Sequence, residues 1–385
     1  MNRILSDAVR GGNKMAEEDC GEEEQLELTI GRHAKFLQRT LHVLPSSLAN
    51  FDTQRVTISY FAVSGLDLLG RLDLVESQRQ DIVNWLYRCL VSPSDNSSLL
   101  ESHPAAPWGF RGSPALRLDS ETSGPTHCHD HGHVAMTYTA LATLLVLGDD
   151  LSGVHRQALA AGLQALQLPD GSFMAALEGG ENDMRFLYCA AAISRIINDW
   201  SGVRKDVALQ YVLASVSYEG GIGQGPGLEA HGGSTYCAIA ALSMMGVLEE
   251  LGDNVLAGVA RWCLRRQGRQ FDRSTGLGEG FQGRPNKPED TCYSFWVGAT
   301  LALLGKLDQC KPELARQFVL STQDPVTGGL AKWIDTVPDP LHTYLGLSGL
   351  AIAGEVGLLA VDPALNISTR AASHLATLHQ RWAQQ

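Results

Sequence analysis

HVAMTYTALATLLVLG, residues 133–148, is a run of small and apolar residues around one tyrosine, and it recurs along the chain. Four later segments can be aligned with it on a tyrosine, at intervals of 48 to 57 residues: DMRFLYCAAAISRI, GGSTYCAIAALSMMG, EDTCYSFWVGATLALLG and LHTYLGLSGLAIAG. The aligned tyrosines are Tyr138, Tyr188, Tyr236, Tyr293 and Tyr344. Self-similarity at such a period is typical of repeat architectures.

Each of these segments follows a glycine-rich turn, such as LPDGSF or DPVTGGLAKW, and precedes an amphipathic segment. About 50 residues accommodate two helices of three to four turns with their loops. Repeated helix pairs either stack into an open solenoid or close into a ring. Small residues on the tyrosine segments favour close packing inside a ring, and a further pair at 34–69 and 82–90 brings the count to six. We therefore predict an all-α fold, a closed α/α toroid with a central cavity.

The N-terminal residues differ in composition from the rest of the chain. They include AEEDCGEEEQ at 16–25, a stretch that is acidic and poor in apolar residues. Such composition is typical of a solvated, disordered tail. We predict a tail at residues 1–28 and a single α/α-barrel domain at residues 29–385.

The bulk composition disfavours several classes of protein. A net charge of −12 argues against nucleic acid as a partner. No run approaches the roughly 18 apolar residues of a membrane span, and the N-terminus lacks the apolar core of a secretory signal. The eight cysteines form no C-x-x-C pair, which together with the missing signal predicts free thiols and a cytoplasmic location.

Three metal-ligand residue types fall at the starts of two consecutive inner helices. In a ring of repeats these helix N-termini converge at one rim, where their partial positive charge favours an anion. Asp290 and Cys292 flank one residue before one helix, and His342 opens the next. Three such ligands leave one tetrahedral position open, as a catalytic zinc requires. The alternative from spacing alone is a capping aspartate, a core cysteine and a hydrogen-bonded histidine.

Four basic side chains are expected at the same rim. His231 opens EAHGGSTY, Arg284 and Lys287 lie in GRPNKP, and Lys332 lies in GGLAKW. In an acidic protein this cluster predicts a phosphorylated ligand, although isolated loop cations are often simply solvated. GEGFQG at 278–283 fits G-x-G-x-x-G, but it lacks the preceding strand and following helix of a dinucleotide-binding turn.

The segments EAHGGSTYC, GRPNKPEDTCYSFWVGATL and DPLHTY strongly resemble the β subunits of protein prenyltransferases, an α/α-barrel family. The similarity extends from about residue 30 to 383, and GDDLS together with HGGST is most like the type I geranylgeranyltransferases. The resemblance implies that Asp290, Cys292 and His342 bind one zinc ion. It also implies a function: transfer of a geranylgeranyl group from geranylgeranyl diphosphate to the cysteine of a C-terminal CaaX motif, with X mostly Leu.

The resemblance further implies roles for residues around this site. Lys332 matches a lysine where farnesyltransferase has a magnesium-binding aspartate, which implies catalysis without Mg²⁺, and Thr57 matches a small residue where farnesyltransferase has a tryptophan. The diphosphate would be bound by His231, Arg284, Lys287 and Tyr293, with Gly232 and Gly233 allowing close approach. Other substrate-binding residues would be Trp296, Tyr188, Thr53, His133, Glu181 and Arg185.

The partners implied by the resemblance are a prenyltransferase α subunit, forming an obligate heterodimer, and small GTPases ending in CaaX. HCHDHGH at 127–133 matches the family's H-P-Y-D-S-G-H loop at four positions. We therefore interpret it as a loop beside the peptide, with His133 acting through water with Glu181 and Arg185. Its additional metal-type residues, Cys128, His129 and His131, lie where the family needs none.

Two other functions remain open at this stage. A farnesyltransferase β subunit is disfavoured by Thr57 and Lys332. A non-catalytic toroid would explain the fold but not Asp290, Cys292 and His342 beside four basic residues, and a triterpene cyclase would need an acidic D-x-D-D motif that the chain lacks. Three departures from the family pattern are an extended loop within 270–283, Leu345 in place of a phenylalanine, and Glu289.

Overall fold

A computed structural model describes residues 26–44, 46–91, 108–116, 132–177, 180–268 and 279–384. This part of the chain is mostly helical. Its thirteen α-helices are α1 Ile30–His42, α2 Arg55–Leu68, α3 Arg79–Arg88, α4 Val134–Val146, α5 Arg156–Leu166, α6 Met184–Ile197, α7 Lys205–Ala214, α8 Gly232–Met245, α9 Asp253–Leu264, α10 Tyr293–Leu303, α11 Pro312–Ser321, α12 Pro340–Ile352 and α13 Thr369–Trp382. None of the helices in the described ranges is both long and apolar enough to cross a bilayer.

Short antiparallel strand pairs occupy some of the loops. The strands are β1 Leu90–Val91, β2 Gly109–Phe110, β3 Phe173–Met174, β4 Asn182–Asp183, β5 Val361–Asp362 and β6 Ile367–Ser368. β1 pairs with β2, β3 with β4, and β5 with β6. Each pair fixes the two ends of a loop and adds no sheet layer.

The helices form the predicted closed ring. The inner helices α2, α4, α6, α8, α10 and α12 are buried on nearly all sides, each packs against the next, and α12 packs against α2. The helices α3, α5, α7, α9 and α11 each bury one face only. The predicted first segment, 34–69, is in fact two helices, because the chain leaves α1 at His42 and re-enters the ring with α2 at Arg55.

A belt of tyrosines links the inner helices near the middle of the ring. The hydroxyl of Tyr138 lies 3.1 Å from those of Tyr60 and Tyr188, Tyr236 lies 3.2 Å from Tyr188, and Tyr344 lies 3.4 Å from Tyr60. We call these five residues the tyrosine belt. Four of them are tyrosines aligned from the sequence, and Tyr60 supplies the same contact from α2.

The alignment of Tyr293 with the belt is wrong by two residues. The ring of Phe295 packs against Tyr236 at 4.9 Å between centroids, and Tyr293 instead contacts His231. The physical reason is the position of the cap, because each of the four aligned belt tyrosines follows by five the residue that caps its helix. Asp290 accepts a hydrogen bond from the Cys292 amide, so the cap position in this repeat is Asp290 and the belt position is Phe295.

The caps of the later inner helices lie together at one rim, as predicted. They are His133, Asp183, His231, Asp290 and Asp339. Four of them accept a backbone N–H of the first turn of their helix, and Asp290 accepts that of Cys292, the residue before α10. The residue after a cap donates to the rim turn of the next repeat: Val134 to Ala175, Met184 to Gln224, Gly232 to Gly283 and Thr291 to Lys332. These bonds fix each helix start relative to its neighbour.

The opposite end of the ring is covered by the C-terminal hairpin. The carbonyl of Asn366 accepts hydrogen bonds from Tyr60 and Tyr344, both at 2.5 Å, and the carbonyl of Leu365 accepts one from Tyr138 at 2.7 Å. α13 then crosses the C-terminal ends of α4 and α6. The hairpin and α13 therefore contact the belt and the ends of inner helices away from their caps.

α1 closes the seam where the last repeat meets the first. His33 is fully buried, its Nδ1 accepts the Gly329 amide at 2.9 Å, and its Nε2 lies 2.8 Å from Oε1 of Gln323. Gly328 has a positive φ of 71°, and a side chain there would meet the Arg32 carbonyl. The first helix and the last rim turn therefore need this close backbone contact.

Candidate active site

The three predicted metal ligands converge at the junction of α10 and α12. The ligand atoms of Asp290, Cys292 and His342 all lie within 4.8 Å of one another. Asp290 reaches the site as the cap of its helix, Cys292 follows two residues later, and His342 comes from the first turn of α12. The backbone bond from Thr291 to Lys332 fixes the relative position of the two helices.

The charges of this group are set by its own members and by Asp339. Burial opposes ionisation, but hydrogen bonds from His342 and the Cys292 amide hold the pKa of Asp290 below its ordinary value. Burial, followed by the charge of Asp290, raises the pKa of the Cys292 thiol. Burial disfavours a charged His342, yet Asp290 and Asp339 raise the pKa of that imidazole to about 9. Without a metal ion the group thus holds a carboxylate, a neutral thiol and an imidazolium.

The donor set fits a metal ion. Carboxylate, thiolate and imidazole are ligands that Zn²⁺ accepts, and three of them leave a fourth position for another ligand. Nδ1 of His342 lies 2.6 Å from Oδ2 of Asp339, which leaves Nε2 directed toward Asp290 at 3.3 Å. A carboxylate behind the ligating imidazole is the common arrangement at zinc sites.

The neighbouring junction, between α8 and α10, carries a different pair. The Tyr293 hydroxyl lies 2.9 Å from Nε2 of His231, whose Nδ1 accepts the Gly233 amide. Burial, followed by the charge of Arg284, lowers the pKa of His231, so the ring is neutral at pH 7. A side chain at Gly283 would overlap the Tyr293 ring, because the nearest ring atom would lie only 2.2 Å from its Cβ.

The predicted cations lie on the rim around these junctions. Nζ of Lys332 lies 3.7 Å from Oδ2 of Asp290 and 4.4 Å from the Trp333 ring centroid. Arg284 forms an ion pair with Glu229 at 2.5 Å, and Lys287 is exposed on the turn that precedes Asp290. The structure thus brings Lys332 to the candidate metal ligands, whereas Arg284 already has a carboxylate partner.

The residues expected to line the prenyl channel lie at different depths. Thr57 on α2 contacts Sδ of Met136 at 3.2 Å, and Trp296 on α10 packs against Tyr236 at 5.1 Å between centroids. Tyr188 belongs to the tyrosine belt, so its hydroxyl is engaged by Tyr138. Thr57 thus lies one turn before Tyr60 on α2, whereas Trp296 directly follows the belt position Phe295 on α10.

The residues expected beside a peptide lie on the opposite part of the rim. Arg185 pairs with Asp183 and Glu181, and its guanidinium lies 5.1 Å from the Phe186 ring centroid. His133 caps α4 and packs edge-on against Phe186. The structure therefore joins Glu181 and Arg185, while His133 meets them through the intervening phenylalanine.

The remaining sequence predictions concern loops and departures. Thr53 is exposed at the end of a short 3-10 helix, and Leu345 is buried on α12. Glu289 is buried, and its Oε1 accepts a hydrogen bond from the side-chain amide of Gln282 at 3.4 Å. Residues 127–131 of HCHDHGH and residues 269–278 of the extended loop lie outside the described residues.

Sequence reasoning missed two residues of the site. Asp339 supports His342, and Phe295 takes the belt position assigned to Tyr293. A signal for Asp339 was present, because an aspartate followed by Pro340 at the first helical position is a typical helix start. Recognising Asp290 as a cap would similarly have placed Phe295.

Comparison with known proteins agrees with this geometry. The prenyltransferase alpha-alpha toroid domain matches residues 28–367. Geranylgeranyl transferase type-1 subunit beta from Dictyostelium discoideum is 38% identical over 363 residues, covering 92% of this chain and 97% of that protein. The protein of the same name from Arabidopsis thaliana is 37% identical over 349 residues, covering 89% of each chain.

A solved structure shares the fold. Candida albicans protein geranylgeranyltransferase-I complexed with GGPP superposes with a TM-score of 0.77 at 24% identity, covering 91% of this chain and 99% of that chain. The all-α toroid predicted from the repeats is therefore confirmed, and so is the predicted resemblance to protein prenyltransferase β subunits. The chain belongs to the prenyltransferase family whose domain is the α-α toroid.

Proposed function

We propose that this chain is the catalytic β subunit of a zinc-dependent, cytoplasmic type I protein geranylgeranyltransferase. It would transfer a C20 group from geranylgeranyl diphosphate to the cysteine of CaaX sequences that mostly end in Leu. Residues 29–385 would form the catalytic domain. The observation that carries the proposal is the convergence of Asp290, Cys292 and His342 beside a rim of basic side chains and helix N-termini.

The three ligands would hold one Zn²⁺ ion. A bound zinc ion lowers the pKa of an incoming thiol, which otherwise lies near 8.5, so that the thiolate exists at neutral pH. This chemistry needs no separate general base to take the proton from the thiol. Cys292 is buried, so its thiolate would be protected from solvent once the ion is bound.

The adjacent junction would stabilise the leaving diphosphate. His231 is neutral and Tyr293 keeps its proton, so both can share hydrogen bonds with an anion. Arg284 and Lys287 would add positive charge at the rim, and Gly232 and Gly233 present the α8 N-terminus without side chains. Fixed donors placed where charge develops usually make the largest contribution to catalysis.

Lys332 would replace a divalent cation at the diphosphate. Its Nζ already lies between the candidate metal site and the open rim, 3.7 Å from Asp290. A permanent ammonium group there supplies the positive charge that Mg²⁺ supplies in enzymes with an aspartate at this position. We therefore propose that the reaction proceeds without Mg²⁺.

An apolar channel inside the ring would select the length of the prenyl group. Thr57 is small, and its hydroxyl is engaged by Met136 and Thr139. A large ring at this position would project from α2 toward α4 and shorten the channel. We propose that Thr57 leaves space for the fourth isoprene unit and that Trp296 and Tyr188 line the apolar wall.

The peptide and the partner subunit would occupy the rest of the rim. His133, Glu181 and Arg185 offer polar groups on the side opposite Lys332, and Thr53 lies exposed near the start of α2. We propose that these residues face the CaaX peptide of a small GTPase. A prenyltransferase α subunit would complete the enzyme as an obligate heterodimer.

The proposal is tested by co-expressing the full chain with an α subunit. The purified complex should contain one zinc per heterodimer and should geranylgeranylate a peptide ending in Cys-Val-Ile-Leu, with Mg²⁺ removed by chelation. A peptide ending in Cys-Val-Ile-Met and farnesyl diphosphate are the comparison substrates. Preference for these would favour a farnesyltransferase, whereas a zinc-free, inactive complex would contradict the catalytic reading.

A further inference from the structure

Both carboxylate oxygens of Asp339 contact the same residue, the candidate metal ligand His342. Oδ1 of Asp339 accepts the His342 backbone N–H at 2.9 Å, and Oδ2 lies 2.6 Å from His342 Nδ1. The Asp339 side chain is 33% exposed, that of His342 14% and that of Asp290 9%. The three side chains thus form a row from the solvent-facing turn to the buried ligand position.

We propose that Asp339 is a positioning residue for the metal ion held by Asp290, Cys292 and His342. It fixes the imidazole so that Nδ1–H donates to the Asp339 carboxylate and the Nε2 lone pair is directed toward the other two ligands. The inference rests on the proposed function in one respect, namely that this group binds zinc.

Capping alone does not account for two bonds. One acceptor satisfies a helix N-cap, and His133 and His231 cap their helices with a single ring nitrogen. The second oxygen of Asp339 restrains the ring of His342, whose two nitrogens would otherwise be free to exchange roles. An outer carboxylate on a ligating histidine fixes the tautomer and ring orientation and makes the ligand more basic.

Another repeat shows the same device with a different side chain. Asp183, the cap of α6, accepts the Arg185 amide at 2.9 Å and contacts the Arg185 guanidinium with both oxygens. A capping aspartate in this toroid can therefore orient a side chain of its own first turn. In the last repeat the oriented side chain is the candidate metal ligand His342.

The test is the zinc affinity of Asp339→Asn in the full chain co-purified with an α subunit. Asparagine retains the cap but removes the carboxylate from the imidazole. Chelator competition should give a zinc dissociation constant about 10–100-fold higher than that of the wild type. Cobalt(II) substituted for zinc should show shifted absorption bands, because the imidazole is no longer fixed.

A matched control changes a cap remote from the metal ligands. His155 caps the outer helix α5 by accepting the Ala158 amide at 3.2 Å, so His155→Asn should leave zinc affinity and the cobalt spectrum unchanged. Asp339→Ser, which retains a short capping hydroxyl that cannot reach the ring, should behave like Asp339→Asn.

The outcomes separate this inference from the proposed function. Wild-type affinity and an unchanged cobalt spectrum in both Asp339 variants would overturn the positioning role while leaving the zinc site intact. Unfolding of both variants in metal-free form would assign Asp339 to the fold and overturn it equally. A wild-type complex that binds no zinc would instead overturn the proposed function.

Discussion

Two neighbouring junctions of the toroid share one backbone geometry and carry different chemistry. At each junction, the backbone N–H of the residue after the first helix's cap donates to the rim turn of the next repeat. The side chain three residues after the second helix's cap points back toward the cap of the first helix. At α8/α10 this places the Tyr293 hydroxyl 2.9 Å from His231, and at α10/α12 it places His342 3.3 Å from Asp290. The first pair is a neutral pair of donors, and the second belongs to a group that could hold a metal ion.

The difference shows that a few side chains, rather than the backbone, give each junction its chemistry. A cap needs only an acceptor, so histidine and aspartate both serve the fold. The aspartate additionally brings a charge, and with Cys292 two residues later it suits a cation rather than an anion. The five predictions that follow separate the two junctions from each other and then from the rest of the ring.

The largest effect is expected from Cys292→Ala. Loss of the thiolate ligand should release zinc and reduce transfer on the order of 10³-fold or more, because the substrate thiol is no longer activated. Zinc content and turnover of the heterodimer measure this. Cys263→Ala, at a buried cysteine of the outer helix α9, is the control, and equal loss in both variants would assign Cys292 to packing.

Lys332→Asp, at the α10/α12 junction, should make the rate of prenyl transfer depend on Mg²⁺. Replacing the cation by a carboxylate removes charge from the diphosphate, so the rate without Mg²⁺ should fall about 10–100-fold, the scale of one electrostatic contact in a catalytic site. Millimolar Mg²⁺ should restore much of it. Lys306→Asp, at an exposed lysine beyond α10, should show neither change, and a Mg²⁺-independent Lys332 variant would contradict the proposal.

Tyr293→Phe tests the first junction. Loss of the hydroxyl should lower kcat/KM about tenfold, the value of one hydrogen bond of roughly 1–1.5 kcal/mol, with zinc content unchanged. In a double-mutant cycle with His231→Ala the two losses should not add, because the residues share one hydrogen bond. Strict additivity would show that Tyr293 and His231 act independently, whereas loss of zinc in Tyr293→Phe would show that the two junctions are not separate.

Substitutions in the tyrosine belt, which bonds to the C-terminal hairpin, should lower the stability of the fold and leave the zinc affinity unchanged. Tyr60→Phe removes a donor to the Asn366 carbonyl, which should lower the free energy of unfolding by about 1–2 kcal/mol. Denaturant unfolding measures this, and Tyr218→Phe, at a side chain that is 97% exposed, is the control. A Tyr60 variant with lower zinc affinity would instead indicate coupling between the two ends.

The smallest effect concerns the seam beside the α10/α12 junction. Burial lowers the pKa of His33 below its ordinary value of 6.5, against a weaker opposing effect of Gln323. The unfolded chain therefore binds a proton that the folded chain does not, so the free energy of unfolding should fall as pH drops below about 6.5. His33→Gln should reduce this slope between pH 6.5 and 5, and an unchanged slope would place the acid sensitivity elsewhere.

The sequence predicted the toroid because its small-residue helices recur at nearly constant intervals. The repeat alignment placed Asp290, Cys292 and His342 at one rim and allowed a zinc site, but only the resemblance favoured zinc over a cap, a core cysteine and a hydrogen-bonded histidine. It misplaced Tyr293 because alignment on one residue type cannot detect that Asp290 lies only three residues before that tyrosine, two fewer than the capping residue in the other aligned repeats. Tyr60 and the hairpin at 361–368 were not singled out, since the contact between Tyr60 and Asn366 spans 306 residues of sequence.

Closure of the ring has a consequence for the order of folding. α2 pairs with α12, and the Thr29 amide bonds to Gln323, 294 residues away. Contacts this distant form slowly, because a long loop must close before they contribute. His342 lies on that last inner helix, so the candidate metal group cannot assemble during synthesis of the first repeats. A nascent chain would expose the apolar inner faces of its early helices until the seam closes, and such exposed surface is prone to aggregation.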